Sequence, residues 1–452
     1  MNMEDKKKSL KLPSSQNGNA GVIVISNVGK IKSVRIAPGR LTIFSGINGS
    51  GKTSALYTIY GVLAQRIAHF RTSLSDKLAK TIISGGEASL ALPEISSKDF
   101  DEILEKASDC FSKIIPDVLN CDASLLANAR VDITIDRKLV VENYWSGKWS
   151  FTNETTRGNE IIFEVVKAED SNVIIFKSNA KNNREAAASE FIANILFDLI
   201  MFPYQGRAFL LPSERAGINL FYQELNSRRT ALINNLQKSK IDPLELMREM
   251  MVSRYAKPVA DYIELLNQFP AVKKVPGKFA NVADALDKLV LGSFDVSKDG
   301  AIYFRPNGAR KNKLSLHLAA SSAKSLYGLS FLLRYMLSEN DVVMIDEPEL
   351  NLHPDAQRGF ARIVALMLSE GLNVMLSTHS DYIVREINIL MMSKDAAPMS
   401  IRPSAVELYV FDGKGGAKRA AKDKQGLFID DPFESSIRAM NDAYLSASFE
   451  QA

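Results

Sequence analysis

Cysteine is almost missing from this chain of 452 residues. Cys110 and Cys121 are the only two, which excludes a disulfide framework and a four-ligand cysteine site and favours a reducing compartment. Long apolar runs are missing as well. The longest, 191–204, is too short to cross a bilayer, carries Asp198 and closes on Pro203, so no membrane partner is expected. The first twenty residues are polar, with Lys6, Lys7 and Lys8 but no apolar stretch behind them, so no secretory leader is expected and the cytoplasm is the expected location. Neither sign of charge dominates: 56 basic against 52 acidic residues leave +4, too mild to argue for a nucleic-acid partner unaided. There is no heptad array for a long coiled-coil arm, no internal repeat and no low-complexity tract. The remainder, 46% hydrophobic and 24% charged, is ordinary globular composition, with length for two or three units that each bury a core.

Along the chain, residues 1–19 read as a mobile polar arm. From Val22 to Phe44 the pattern alternates like strands separated by Gly and Pro-Gly turns, and from Thr53 it changes to the three-and-four spacing of a helix. Residues 76–127 read as mostly helical. A strand-rich block follows, including 138–145 (KLVVENYW), before a return to helix over 184–201. The short strand AFLLPS comes next, then a helical hairpin over 219–269 broken near Pro243 and Pro258, two strands (FDVS and AIYFR), and a helix–strand–helix–strand run over 322–376.

Three motifs carry chemistry. Gly46-Ile47-Asn48-Gly49-Ser50-Gly51-Lys52-Thr53 fits G-x-x-x-x-G-K-[ST], with a strand before it and a helix after. In such a loop the backbone N–H groups and the helix N-terminus face one phosphate, Lys52 reaches the β and γ phosphates, and the Thr53 hydroxyl ligates Mg²⁺. Second, four apolar residues, Val342 to Ile345, lead into Asp346 and Glu347. A strand buried on both faces would place Asp346 to hold Mg²⁺ through water and Glu347 to polarise the attacking water as general base. Third, the strand from Asn373 ends in Thr378-His379-Ser380, where His379 could hydrogen-bond the γ-phosphate and that water. His353 reads as a loop-shaping residue, and His69 and His317 as incidental. Trp145 and Trp149 read as hairpin packing rather than base stacking. Basic runs at Lys273/Lys274/Lys278, Arg310/Lys311/Lys313 and Lys414/Lys418/Arg419/Lys422/Lys424 are ordinarily solvated faces; grouped around one groove they would neutralise phosphates, which leaves nucleic acid open as a partner.

With GINGSGKT, IDEPELNLHP and STHSDYIV in hand, the chain resembles the ABC-type ATPase heads of the SMC, RecF and overcoming-lysogenisation-defect group. Within that group it looks most like the stand-alone ATPases of prokaryotic anti-phage systems, Septu-like and related two-gene systems among them. The resemblance implies an α/β fold: a P-loop ATPase head with a mostly parallel sheet and an inserted helical or mixed lid. It divides the chain into the arm (1–19), an N-terminal head lobe (20–75), an inserted helical and β-rich region (76–204), a head strand with the glutamine-loop equivalent (205–218), a helical insertion (219–284) and a C-terminal lobe (285–452). It implies ATP and Mg²⁺ as cofactors. Asn48, Gly49, Ser50, Gly51, Lys52, Thr53 and Ser54 would bind nucleotide, Thr53 and Asp346 the metal, and Glu347, His379 and Lys52 would be catalytic.

Such heads sandwich two ATP in a head-to-head dimer through an L-S-G-G-Q signature. The matching stretch is Ala320-Ser321-Ser322-Ala323-Lys324, so Ser321 and Ser322 would reach the second copy's nucleotide, although Ala323 and Lys324 depart from the pattern. An N-cap serine is the plain alternative. Gln205 and Arg215 are candidates near the glutamine loop, neither of them assigned. The role implied is an anti-phage ATPase that controls a separate neighbour-encoded effector nuclease or toxin, since the 73 residues (452 − 379) after His379 are expected to be too few for a built-in nuclease. The alternative is a DNA-repair or chromosome-associated ATPase that clamps DNA directly; a transporter ATPase fits less well.

Overall fold

The computed structural model describes residues 21–65, 67–145, 150–157, 160–178, 185–201, 206–222, 224, 255–297, 300–308, 313–393, 399–429 and 438–444. In chain order these form β1 (Gly21–Val28), β2 (Ile31–Ile36), β3 (Leu41–Gly46), α1 (Lys52–Ala64), α2 (Ser73–Gly85), β4 (Glu87–Ala91), α3 (Ser97–Leu119), β5 (Arg130–Ile135), α4 (Arg137–Val140), β6 (Phe151–Arg157), β7 (Glu160–Lys167), β8 (Val173–Ser178), α5 (Glu185–Ile200) and β9 (Ala208–Leu211). Then come α6 (Lys257–Gln268), α7 (Ala280–Leu289), β10 (Gly292–Val296), β11 (Ile302–Pro306), β12 (Leu314–Ser315), α8 (Ser321–Tyr335), β13 (Val342–Asp346), α9 (Pro354–Ser369), β14 (Asn373–Thr378), α10 (Asp381–Met392), β15 (Val406–Phe411) and β16 (Ala417–Arg419).

The organising layer is a six-stranded sheet in the order β16-β15-β3-β14-β13-β9. All its pairings are parallel except the antiparallel edge strand β16. Parallel strands need crossovers, and these cover both faces with apolar side chains. Alternate residues accordingly feed two cores. Phe44, Val342, Met344, Met375, Tyr409 and Phe411 belong to one, while Ile43, Val343, Ile345, Val374, Leu376 and Leu408 belong to the other. Each core buries most of its apolar side chains completely, worth about 1.5–3 kcal/mol for each large one. The fold is therefore α/β with a mostly parallel central sheet, as the motifs require.

The first core also takes in the antiparallel sheet β2-β1-β5, helices α1, α3 and α5, and the antiparallel sheet β4-β8-β7-β6. The second takes in α7, α8, α9 and α10, with the small sheet β10-β11-β12 beside α7 and α8. Helix ends follow local chemistry. Thr72 and Ser75 form a capping box on α2, Ser96 caps α3, and Ser380 caps α10 with Asp381 in its first turn. Two stretches differ from the sequence reading. Residues 87–91 are a strand inside the region expected to be helical, because β4 completes the sheet by pairing with β8. Residues 137–145 are helical turns rather than a strand: the Asp136 side chain caps them, accepting from the Lys138 and Leu139 N–H groups. Trp145 is fully buried there, its indole N–H donating to the Leu199 carbonyl at 3.1 Å. Trp149, Gln205, Arg310, Lys311 and most of 219–254 lie outside the described residues. Among those described, no helix is long and apolar enough to cross a membrane.

Candidate nucleotide site

The carboxyl ends of β3, β13 and β14 are adjacent in the sheet, with Thr378 beside Ser45 and Asp346 beside Ser377. That register gathers the three motifs at one edge of one layer. The loop after β3 turns on glycines that nothing else could replace. Gly46 has φ 137°, and a Cβ there would meet the Phe411 carbonyl oxygen at 2.4 Å; Gly51 has φ 105°, and a Cβ there would meet Ile31 at 2.8 Å. Gly51 is also the N-cap of α1, whose N-terminus has no side-chain cap and no acidic residue in its first turn. The first-turn amides of α1 are thus left to an anion. Lys52 is buried, its ammonium donating to the Gly46 and Ile47 carbonyls at 3.0 and 2.9 Å. Burial lowers its pKa, opposed by Glu347, Asp346 and Glu349. Asn48, Gly49 and Thr53 are exposed, Ser54 half-buried, and Ser50 buried with its hydroxyl unpartnered.

Asp346 is 1% exposed. Its Oδ1 accepts from the Thr53 hydroxyl at 3.1 Å and from the Ser377 hydroxyl, while its Oδ2 is buried and has no partner. Burial pushes this carboxyl up to about 6, against the two hydroxyl bonds that lower it. Such an orphaned carboxylate oxygen beside a threonine hydroxyl is the chemistry of a divalent-cation site. No group of three or more His, Cys, Asp or Glu side chains able to hold a metal occurs among the described residues. The one carboxylate and one hydroxyl present suit a hard ion whose other ligands are phosphate oxygens and water. The residues therefore fit Mg²⁺ with nucleotide.

Glu347 follows with φ 49°, a left-handed conformation uncommon for a non-glycine residue and frequent at functional sites. Its N–H donates to the Ser377 carbonyl at 3.0 Å, and its Oε1 lies 3.6 Å from His379 Nε2. Burial lowers the His379 pKa, reinforced by Lys52 and opposed by Glu347 and a hydrogen bond to the Gly46 backbone, so the imidazole is held toward its neutral form. Lys52, Thr53, Asp346, Glu347 and His379 are thus one cluster.

Ser321 and Ser322 are not part of it. They form the first turn of α8, exposed and half-buried, behind Ala320 as N-cap, and no hydrogen bond among the described residues joins them to the phosphate loop. His353 caps α9, accepting from the Asp355 N–H at 3.3 Å. The basic runs are largely engaged: Lys274 and Lys313 with Asp295, Lys278 with Glu339, Arg419 and Lys422 with Glu407.

Three further residues hold the cluster, Ser377 and Glu349 from within the motifs and Arg215 from outside them. Ser377 bridges Asp346 and Glu347, its hydroxyl donating to the Asp346 carboxylate and also accepting from the Glu347 N–H at 3.3 Å. Glu349 accepts from the Thr378 hydroxyl at 2.8 Å and from the His379 N–H at 2.5 Å, fixing the backbone that aims the imidazole. Arg215 is fully buried and donates to the Asp346 and Glu347 carbonyls at 2.7 and 2.9 Å. The signal for Glu349 and Arg215 was charge placed next to apolar strands, at 349 and 215, where a solvated role is hard to satisfy.

A strand–glycine loop–helix facing an acidic strand end on a parallel sheet defines a P-loop nucleotide-binding protein. Residues 22–384 match the AAA ATPase domain family, and the chain belongs to that family. None of the curated proteins compared matches the chain. Among solved structures it is similar to the Smc head domain with an extended coiled coil, bound to the C-terminal domain of ScpA, derived from Pyrococcus furiosus. The identity there is 12%, over 94% of this chain and 98% of that one, with a TM-score of 0.32. It is similar also to the SMC head domain from Thermotoga maritima, at 9% identity over 89% and 98%, TM-score 0.29. A third is an SmcHead bound to the C-winged helix domain of ScpA, at 11% identity over 91% and 98%, TM-score 0.34.

Proposed function

We propose that the chain binds ATP with Mg²⁺ and hydrolyses it, as a head-to-head dimer in which each copy completes the other's site. One observation carries this: Lys52, Thr53, Asp346, Glu347 and His379 converge at neighbouring strand ends, with the Asp346 Oδ2 and Ser50 hydroxyl left unpartnered. The amides of residues 49–53 and the Lys52 ammonium bind the phosphates, and Thr53 and Asp346 hold the metal. Bound there, Mg²⁺ supplies positive charge to the phosphate oxygens. Glu347 takes a proton from water through a carboxylate oxygen, and neutral His379, 3.6 Å away, orients that water. Ser321 and Ser322, at a helix N-terminus on the surface, offer donors to a second copy's phosphate.

Glu347→Gln tests the reading. It should keep ATP affinity, stay dimeric with ATP and lose turnover by at least about a hundredfold, the usual worth of a general base. Turnover equal to wild type refutes Glu347 as the base.

For the cellular role we propose control of a neighbour-encoded effector nuclease or toxin in anti-phage defence. The support is the likeness of GINGSGKT, IDEPELNLHP and STHSDYIV to stand-alone ATPases of such systems. Purifying the Glu347→Gln protein with ATP from its native host tests this: a stoichiometric nuclease or toxin supports it, whereas DNA without a protein partner favours the chromosome-associated alternative. The pairing of Lys274, Lys278, Lys313, Arg419 and Lys422 with acidic side chains leaves fewer cations free for phosphates, which weighs against a direct clamp.

A further inference from the structure

The turn after β9 ends in Pro212-Ser213-Glu214-Arg215, and a short helix runs from 215 to 222. Arg215 has no exposed surface. A cation so placed is ordinarily neutralised by a carboxylate, because removing it from water costs several kcal/mol. Here no carboxylate bonds it among the described residues. Its donors go to main-chain carbonyls from three segments: Nη1 to Pro212 at 3.1 Å and Asp346 at 2.7 Å, Nη2 to Glu347 at 2.9 Å, and Nε to Ser325 at 3.2 Å. A guanidinium suits this because its donors are fixed in one plane; an ammonium on a flexible stem has no such fork.

The segments bridged are informative. The Asp346 and Glu347 carbonyls flank the peptide whose positive φ aims the Glu347 side chain. Ser325 is on the fifth residue of α8, which begins at Ser321. One turn further along the 215–222 helix, Asn219 is also buried, its Nδ2 donating to the neighbouring Lys324 carbonyl at 2.7 Å. Its Oδ1 accepts from the buried Tyr262 hydroxyl at 2.8 Å. Tyr262 in turn sits against α8 so closely that a Cβ on Gly328 would lie 2.1 Å from its hydroxyl. One polar chain therefore grips the first turns of α8 on one side and the catalytic peptide on the other.

We propose that Arg215, backed by Asn219, is a positioning residue that couples α8 to the Asp346–Glu347 peptide. A load on the Ser321 end of α8, as when a second copy's nucleotide is seated there, then displaces the carboxylate of Glu347 in the same chain. This rests on the dimeric ATPase reading above, since only there does the Ser321 end bear a load.

The experiment uses the full chain and the variants Arg215→Lys, Asn219→Ala and Tyr262→Phe. Arg215→Lys keeps the charge and loses the fork; the other two remove one hydrogen bond or two and keep the guanidinium should Arg215→Lys fail to fold. ATP affinity, measured with a fluorescent ATP analogue and Mg²⁺, should stay within about twofold, while kcat falls by about tenfold, the factor that 1.36 kcal/mol corresponds to. Deuterium exchange at the amides of Asp346, Glu347 and Glu349, measured without nucleotide, should rise in each variant. Affinity and kcat falling together, or exchange at 346–349 unchanged, overturns the proposal. The exchange measurement needs no turnover, so a wild-type protein that fails to hydrolyse ATP refutes the ATPase reading, and the mechanical tie is decided separately.

Discussion

Replacing Asp346 with asparagine should stabilise the protein while disabling it. The carboxyl lies 1% exposed with one oxygen unpartnered, and burial raises it from 3.8 to about 6. That difference, about 2 units, corresponds to ~3 kcal/mol of penalty on the charged form at 1.36 kcal/mol per unit. The sign follows from proton binding. A group whose folded pKa is raised binds more protons folded than unfolded, so its stability contribution is complete below about pH 4 and is lost as pH rises to about 6. Asparagine removes the charge and its pH dependence. Its amide oxygen still accepts from Thr53 and Ser377, but its N–H₂ enters the space where Oδ2 has no acceptor, which costs about 1–3 kcal/mol.

The net expectation is a gain of about 0–2 kcal/mol at about pH 8 that disappears below about pH 4, where the protonated wild-type carboxyl places its own donor in the same unpartnered space. Urea unfolding of both proteins in EDTA across that range measures it. Adding Mg²⁺ and ATP should then stabilise wild type by mass action and leave the asparagine protein nearly unmoved. A variant less stable than wild type at about pH 8, or one equally stabilised by Mg²⁺ and ATP, refutes the assignment of Asp346 as a buried, cation-awaiting carboxylate.

Lys52→Ala should weaken ATP binding by at least about a hundredfold, since a charge-assisted bond to each of two phosphates is lost; unchanged affinity in a fluorescent-nucleotide titration removes Lys52 from the site. Because burial and Lys52 lower the His379 pKa, the acid limb of the kcat profile should lie below the ordinary imidazole value of about 6.5, and that limb should vanish in His379→Ala; a limb above that value contradicts a neutral histidine. Glu349→Gln should lower kcat by about tenfold with ATP affinity little changed, since one charged acceptor of the His379 backbone is lost; wild-type kcat would show that Glu349 does not hold the histidine. Gly328→Ala should destabilise by about 1–3 kcal/mol through overpacking, and Tyr262→Phe should restore part of that, since the clashing hydroxyl at 2.1 Å gives way to a ring carbon at 3.0 Å; thermal melts of the two single variants and the double variant decide it.

The parallel sheet and its order of chemistry were legible because they rest on local patterns. The short apolar runs 342–345 and 374–376, bounded by acidic residues and by Thr-His-Ser, have the length and continuity of strands buried on both faces. The turn glycines of the phosphate loop fall where positive φ is required. Residues 137–145 were misread because LVVENYW has strand composition, whereas Asp136 caps a helical turn and a buried Trp145 needs an acceptor, found at Leu199. Residues 87–91 differ because EASLA has little strand character of its own; the distant strand β8, which pairs Lys177 with Glu87 and Val173 with Ala91, makes it one. Ser377 and Glu349 were visible as letters within motifs, but their partners Asp346 and His379 are 31 and 30 residues distant, beyond any periodicity.

Arg215, Glu349 and Ser377 share a habit: each addresses the main chain of a residue of the proposed site. Arg215 takes the Asp346 and Glu347 carbonyls, Glu349 the His379 N–H, and Ser377 the Glu347 N–H. Side-chain substitutions at those positions therefore leave the scaffold bonds intact, because a backbone carbonyl or amide is the same in Gln as in Glu. That predicts an ordering. Glu347→Gln should melt close to wild type while losing turnover, whereas Arg215→Ala, which strands four buried carbonyl partners, should cost about 3–5 kcal/mol of stability and lose turnover with it. If the two variants melted alike, the main-chain anchoring would not be what holds Glu347 at its positive φ.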